Sequence, residues 1–178
     1  MLVLTPEEFI TQWGQEELAR FSPETLQSVA IPASGKSFLS QVGLPRTAAI
    51  PTGGAGDFQL LPALHLTETA DYSFGIVRYE PDFGHETYFC IERTTGVIQM
   101  RDNQNATVYY VNTNVSAFAE ALLAYRSFMK PNESGLSKDS DSRRLRRLKQ
   151  EIKAFDPKAM TKRINYWPLM LADLAAQI

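Results

Sequence analysis

Hydrophobic and polar positions alternate through the middle of the chain, whereas apolar residues recur every three or four positions near both ends. A short β-rich run at 58–61 stops at Pro62, and four further runs occupy 74–80, 86–92, 97–101 and 107–112. Short polar turns separate these four runs, and only antiparallel strands can be joined so tightly. The pattern therefore predicts a mostly antiparallel meander of about four to six strands.

Helices are predicted on the N-terminal side of these strands. Thr5 and Glu8 have the spacing of a capping box, and Ser22 precedes a second helix start. A third helix begins near Pro32 and ends at Gly43, a residue suited to a left-handed C-terminal cap.

Helices are also predicted after the strands. Asn114 is a plausible N-cap, and the residues that follow it place apolar side chains at helical spacing: Val115, Phe118, Leu122, Tyr125 and Met129. A second apolar stripe covers 145–155, and Asp156 begins a short helix before the last one.

The order of these elements predicts an α+β fold, with a central sheet flanked by N-terminal and C-terminal helices. We expect residues 1–178 to form a single domain. Residues 1–30 would be a helical extension of it, and the polar, punctuated residues 131–142 an inserted loop.

Composition narrows the class of protein. A chain of 178 residues with 44% hydrophobic residues is typical of a globular protein, and no apolar run is long enough to cross a membrane. Cys90 is the one cysteine, which excludes an internal disulfide and fits a reducing cytoplasm. The net charge of −2 conceals an asymmetry, because residues 1–100 sum to −7 and residues 101–178 to +5.

The only phosphate-loop candidate is residues 30–37, which end in Gly-Lys-Ser. Ala30 stands where such a loop has its first glycine, and Pro32 removes a backbone donor. A helix start with Lys36 on its surface is the better interpretation, although a nucleotide-binding enzyme remains an alternative.

Other catalytic or metal chemistry finds little support. Cys90 lies between Phe89 and Ile91, which indicates a buried structural thiol. His65 and His85 are the only histidines, too few for a zinc site of recognisable spacing. We therefore expect no catalytic residues, no metal site and no cofactor.

Two charged sets remain as candidate binding residues. The basic residues within 143–153 could contact nucleic acid, but the i,i+4 spacing of Arg147 and Glu151 favours a solvated helix face. The acidic residues around the second hairpin could contact a basic protein partner. The four that we select as contacts are Asp71, Glu80, Asp82 and Glu86.

An ordered set of short motifs from about residue 38 to the C-terminus resembles the SUKH superfamily, in particular its fourth subgroup of immunity proteins, which are related to yeast cell-wall-assembly regulators. The motifs are FLSQVGLP, then Gly-Val-Ile, then VNTNVSAF, and finally Asp-Pro with a later tryptophan. The residues that carry the resemblance are Phe38, Leu39, Gly43, Leu44, Pro45, Gly96, Asn112, Phe118, Asp156, Pro157 and Trp167.

The resemblance implies a non-catalytic α+β protein of the bacterial cytoplasm. It would bind and neutralise a cognate polymorphic toxin, often a nuclease or a nucleic-acid deaminase, and the matched residues would be structural. The acidic first part of the chain would suit a basic toxin. The alternative is a regulatory or protein-interaction module that contacts nucleic acid through 143–153.

Overall fold

The computed structural model describes residues 4–51, 56–78, 86–102, 106–130 and 138–176. Within these ranges the α-helices are α1 (Pro6–Trp13), α2 (Pro23–Gln27), α3 (Ala33–Gln41), α4 (Val115–Met129), α5 (Lys138–Phe155) and α6 (Tyr166–Ala175). The strands are β1 (Leu18–Ala19), β2 (Leu44–Pro45), β3 (Thr47–Ala48), β4 (Phe58–Leu66), β5 (Tyr72–Arg78), β6 (Glu86–Ile91), β7 (Ile98–Asp102) and β8 (Val108–Asn112). Short 3-10 helices cover Gln15–Glu17 and Pro157–Met160.

Strands β3 to β8 form one six-stranded sheet in chain order, and every neighbouring pair is antiparallel. The predicted α+β fold with a meander is confirmed. The prediction that the first long strand stops at Pro62 is wrong, because β4 continues to Leu66. Its pairing with β5 shifts register between Leu60 and His65, and such an irregularity accommodates a proline that cannot donate to the ladder.

The core lies between one face of the sheet and the C-terminal helices. Phe118 of α4 packs against Phe58 and Phe89, with ring centroids 5.5 and 5.3 Å apart, and Tyr166 of α6 lies 5.7 Å from Phe89. Gly75 makes room for this cluster, because a Cβ atom there would lie 2.0 Å from Cε2 of Phe58. These aromatic contacts hold α4 and α6 against one face of the sheet.

The N-terminal helix is bonded to α4. Arg126 of α4 donates a 2.9 Å hydrogen bond to the carbonyl oxygen of Trp13 and forms a 2.8 Å ion pair with Glu17. Its guanidinium also lies 4.8 Å from the centre of the Trp13 ring. Phe9 and Trp13 are buried in the same hydrophobic cluster as Trp167, so the first helix contributes to the core.

Several predicted helix boundaries are confirmed by their hydrogen bonds. Thr5 and Glu8 form the capping box, and Asn114 accepts a 2.9 Å hydrogen bond from the backbone of Ala117. Gly43 ends α3 with a φ of +86°, and a Cβ atom there would lie 2.3 Å from the carbonyl oxygen of Ala19. Glycine is therefore required at this turn by both conformation and space.

The prediction of a loop over 131–142 is wrong for its last five residues, because α5 begins at Lys138. Residues 131–137 lie outside the described residues. The helix extends this far because Leu145 and Leu148 anchor it in the core. In its first turns, Asp141 pairs with Arg144 at 3.4 Å, and an acidic side chain is favourable near a helix N-terminus.

Candidate protein-interaction surface

The sheet has a second, polar face, which we call the outer face. Across the strands, Ile76 lies opposite Tyr88, Tyr88 opposite Arg101, and Arg101 opposite Val108. Directly opposed residues project to the same side of a sheet. The outer face comprises Gln59, Arg78, Glu86, Tyr88, Gln99, Arg101, Val108 and Tyr110.

The outer face is open to solvent at its edges and filled with long side chains at its centre. Val108 is 45% exposed, whereas Tyr88 and Arg101 are half-buried. Ile76 and Cys90 lie on the same side but are only 3% and 0% exposed. The longer side chains of the outer face, such as Tyr88 and Arg101, therefore cover the apolar side chains of Ile76 and Cys90.

Glu86 is the centre of one hydrogen-bond network on the outer face. It accepts from Arg78 at 3.1 Å and from the Tyr88 hydroxyl at 2.5 Å, and Arg78 also donates to Gln59 at 3.0 Å. The Tyr88 hydroxyl, and after it Arg78, lowers the pKa of Glu86, and the carboxylate in turn raises the pKa of Tyr88. Glu86 is thus held ionised, and it orients both partners.

Arg101 is the centre of a second network. Its guanidinium forms an ion pair with Asp71 and donates a 3.0 Å hydrogen bond to Gln99. The side chain of Asp71 is only 7% exposed, compared with 24% for Arg101. Within the described ranges, the Nε of Arg101 has no hydrogen-bond partner. The buried carboxylate therefore fixes an arginine at the surface.

The four acidic residues selected from the sequence have different positions. Glu86 lies on the outer face, but its carboxylate is paired. Asp71 is 5% exposed, so it can act on a partner only through Arg101. Glu80 and Asp82 lie outside the described residues. The structure thus brings Asp71 and Glu86 to one side of the sheet without exposing both.

The residues that carry the family motifs lie mainly at buried or turn positions. Asn112 donates to Asp156 at 2.9 Å and accepts from the indole of Trp167 at 3.0 Å. The Asp156 carboxylate also accepts from the backbone of Thr113 at 2.8 Å. Leu39, Leu44, Pro45 and Phe118 are buried, Phe38 packs against Phe9, Gly43 and Gly96 have positive φ, and Pro157 begins a 3-10 helix.

Tyr88, Gln99 and Arg101 were not predicted from the sequence as residues of a binding surface. Their signal is the alternation of long polar residues with Phe89 and Met100 along two strands. Glu120, which is buried in α4, was not predicted from the sequence either.

Part of the basic segment 143–153 has structural partners. Arg144 donates to the carbonyl oxygens of Phe128 and Lys130, and thereby caps the C-terminus of α4. Arg147 forms the predicted i,i+4 pair with Glu151 at 2.8 Å. These contacts favour the helix-surface interpretation of both arginines.

The two residues considered for catalysis, Cys90 and Lys36, lie in a buried strand and within a helix. Cys90 is 0% exposed, and burial raises the pKa of its thiol to about 12. Lys36 lies inside α3. In the part of the chain that the structure describes, no three His, Cys, Asp or Glu side chains converge as metal ligands. The same part contains no helix that is long and apolar enough to cross a membrane.

Comparison with known proteins identifies the family. Residues 4–173 match the model of the SUKH-4 immunity protein family, and the match includes α1 and α2, which lie before the motifs quoted above. No curated protein and no solved structure matches the chain. Proteins of this family are immunity proteins, which implies the binding of a cognate toxin, and they are generally non-catalytic. Because the match covers nearly the whole sequence, the chain belongs to the SUKH-4 immunity protein family and its function is immunity.

Proposed function

We propose that the protein neutralises its cognate toxin by stoichiometric, non-catalytic binding through the outer face. The observation that carries this proposal is the presence of Tyr88, Arg101 and Tyr110 on one solvent-facing side of the sheet. Tyrosine and arginine are enriched among the residues that dominate binding energy at protein interfaces. The sheet would present them as a rigid platform.

The hydrogen bonds of the outer face support this role. Arg101 is held by Asp71, and Tyr88 is held by Glu86, before any partner arrives. Ordering a long side chain during association costs about 0.5–1.5 kcal/mol. Side chains that are already fixed avoid part of this cost, so a preformed network favours tight binding.

The toxin, in this proposal, is a basic protein that acts on nucleic acid, either a nuclease or a deaminase. Residues 1–100 carry a net charge of −7, and complementary charge accelerates the encounter of two proteins. Glu80 and Asp82 come shortly before Glu86 in the sequence, so we propose that all three contact the toxin. Such a complex would form in the bacterial cytoplasm, where an incoming toxin would meet its substrate.

We propose that residues 1–178 act as one unit in this complex. The hydrophobic cluster runs from Phe9 to Leu171 and includes residues from the N-terminal helices, the sheet and the C-terminal helices. The sheet that binds the toxin would therefore be held in place by a core to which all parts of the chain contribute.

The experiment is co-expression of this chain with candidate toxin domains taken from the genes that neighbour its own. We expect survival of the host, co-purification, and a complex with one copy of each chain. Charge reversal of Glu80, Asp82 and Glu86 to lysine should slow association, with the largest effect at low salt. Absence of both binding and protection would reject the proposal. Salt-dependent binding of the isolated protein to nucleic acid would favour the module with a basic helix.

A further inference from the structure

A groove lies on the helical side of the molecule, away from the residues of the outer face. One side of α4 lines one wall, with residues at positions i, i+3, i+4 and i+7 of the helix: Glu120, Leu123, Ala124 and Ser127. The other wall comes from α5, with residues four apart: Arg147, Glu151 and Phe155. Leu4 and Gln12 of the N-terminal region close it, and the cavity volume is about 300 Å³.

The carboxylate of Glu120 is the unusual group in this groove. The residue is 8% exposed, and within the described residues its side chain has neither a hydrogen bond nor an ion pair. Burial raises the pKa of Glu120 to about 7. A largely buried carboxyl group without a partner is unfavourable in its charged form, so a donor that reached this carboxylate from the groove would stabilise it.

The neighbouring polar groups do not supply that donor. Arg147 forms a 2.8 Å ion pair with Glu151, and its side chain is 81% exposed. The Ser127 hydroxyl donates a 3.0 Å hydrogen bond to the carbonyl oxygen of Leu123. Both groups are therefore engaged elsewhere, and the amide of Gln12, which also lines the groove, makes no hydrogen bond to Glu120.

The shape and chemistry of the groove select its occupant. Leu123, Ala124 and Phe155 line the groove with apolar atoms that a chain of methylene groups could contact, and Glu120 offers a carboxyl acceptor in the same wall. Arginine and lysine combine an apolar stem with a cationic head. A carboxylate that leaves water forms its strongest hydrogen bonds with such a cation. We propose that this groove is a receptor for one arginine or lysine side chain of a partner protein.

The proposal is independent of the outer face and can be tested without a toxin. The probe is the blocked tripeptide acetyl-Gly-Arg-Gly-amide, with acetyl-Gly-norleucine-Gly-amide as the neutral control. Backbone amide resonances of α4 and α5 should shift saturably with the arginine peptide alone. A bound cation favours the ionised carboxyl group, so the carboxyl resonance of Glu120 should report a lower pKa when the peptide is bound.

Glu120→Gln is the decisive variant, and Glu16→Gln, at an exposed carboxyl group outside the groove, is its matched control. We expect the Glu120 variant to bind the arginine peptide about tenfold more weakly, corresponding to about 1.4 kcal/mol, and the control to bind unchanged. Equal affinity for the norleucine peptide, or equal binding by Glu120→Gln, would overturn the proposal. Binding of putrescine without binding of the arginine peptide would also overturn it, since the ligand would then be a small amine. A melting curve confirms that each variant is folded.

Discussion

The side-chain amide of Asn112 donates a 2.9 Å buried hydrogen bond to the carboxylate of Asp156, which lies 44 residues further along the chain. The carbonyl of the same amide accepts from the indole of Trp167 at 3.0 Å. Three separated family motifs therefore meet at one buried point, which joins β8 to the two helices that follow α5. This connection explains why these polar residue types occur in the core.

Asp156→Ala should destabilise the protein by about 3–5 kcal/mol, because it leaves Asn112 and the backbone of Thr113 without their buried acceptor. Urea unfolding followed by circular dichroism measures the change. Asp173→Ala, at an exposed carboxyl group, should stay within about 0.5 kcal/mol of the parent. A loss at Asp156 no larger than that of the control would contradict the structural role of the network.

Gly75→Ala should cost about 1–3 kcal/mol, because the new methyl group would lie 2.0 Å from Cε2 of Phe58 in the packed core. Gly35→Ala is the matched control. Its Cβ atom would come no closer than 3.7 Å to Ile31, and it lies within α3, where alanine is the better helix former. Thermal unfolding should show a lower Tm for the first variant and an equal or higher Tm for the second. A neutral Gly75→Ala would mean that Phe58 does not lie over this strand.

Glu120 should make stability depend on pH. Its pKa is raised in the folded protein from 4.5 to about 7, so the folded state binds more protons than the unfolded state between these values. The stabilising contribution of the protonated form is complete below the unfolded pKa and is lost as the pH rises through about 7.

Glu120→Gln should therefore be more stable than the parent at pH 8 by about 2–3 kcal/mol once solvent screening is allowed for, and the difference should disappear near pH 4. Urea unfolding of the variant and the parent at both pH values gives their difference in unfolding free energy at each pH. A constant difference across the range would show that the carboxyl group titrates normally in the folded state.

Cys90 should react slowly with thiol reagents in the native protein. Its side chain is buried, and its pKa is raised to about 12, so the reactive thiolate is scarce and shielded. In denaturant, a chromogenic disulfide reagent should modify it completely within the mixing period. Rapid modification of the native protein, with unfolding excluded, would argue against the burial of this strand.

The local part of the fold could be predicted from the sequence, whereas the long-range part could not. The capping box at Thr5 and the cap at Asn114 depend on residues three positions apart, and β-rich runs mark five of the six strands of the large sheet, the first of them only in part. The extension of β4 past Pro62 depends on a register shift with β5, which no local pattern encodes. The start of α5 at Lys138 depends likewise on packing against α4.

The candidate binding surfaces likewise depend on long-range contacts that the sequence does not reveal. A charge count selected Asp71 as a contact, but pairing with Arg101 across the sheet buries it. Tyr88 and Arg101 belong to one surface because β6 and β7 pair in one register, in which the two residues are directly opposed. Glu120 is unusual only because α1 and α5 pack beside it. These relationships appear only once the tertiary contacts are known.

The central claim is that the outer face binds the toxin, and one pair of variants tests it most directly. Val108→Arg and Ile164→Arg both place an arginine at an exposed apolar position, with 45% and 72% exposure, but only Val108 lies on the outer face. Toxin affinity is measured by calorimetry with folded, purified variants. We predict that Val108→Arg weakens binding at least about tenfold, or about 1.4 kcal/mol, while Ile164→Arg leaves it unchanged. Unchanged affinity in Val108→Arg, with or without a loss in Ile164→Arg, would contradict the account.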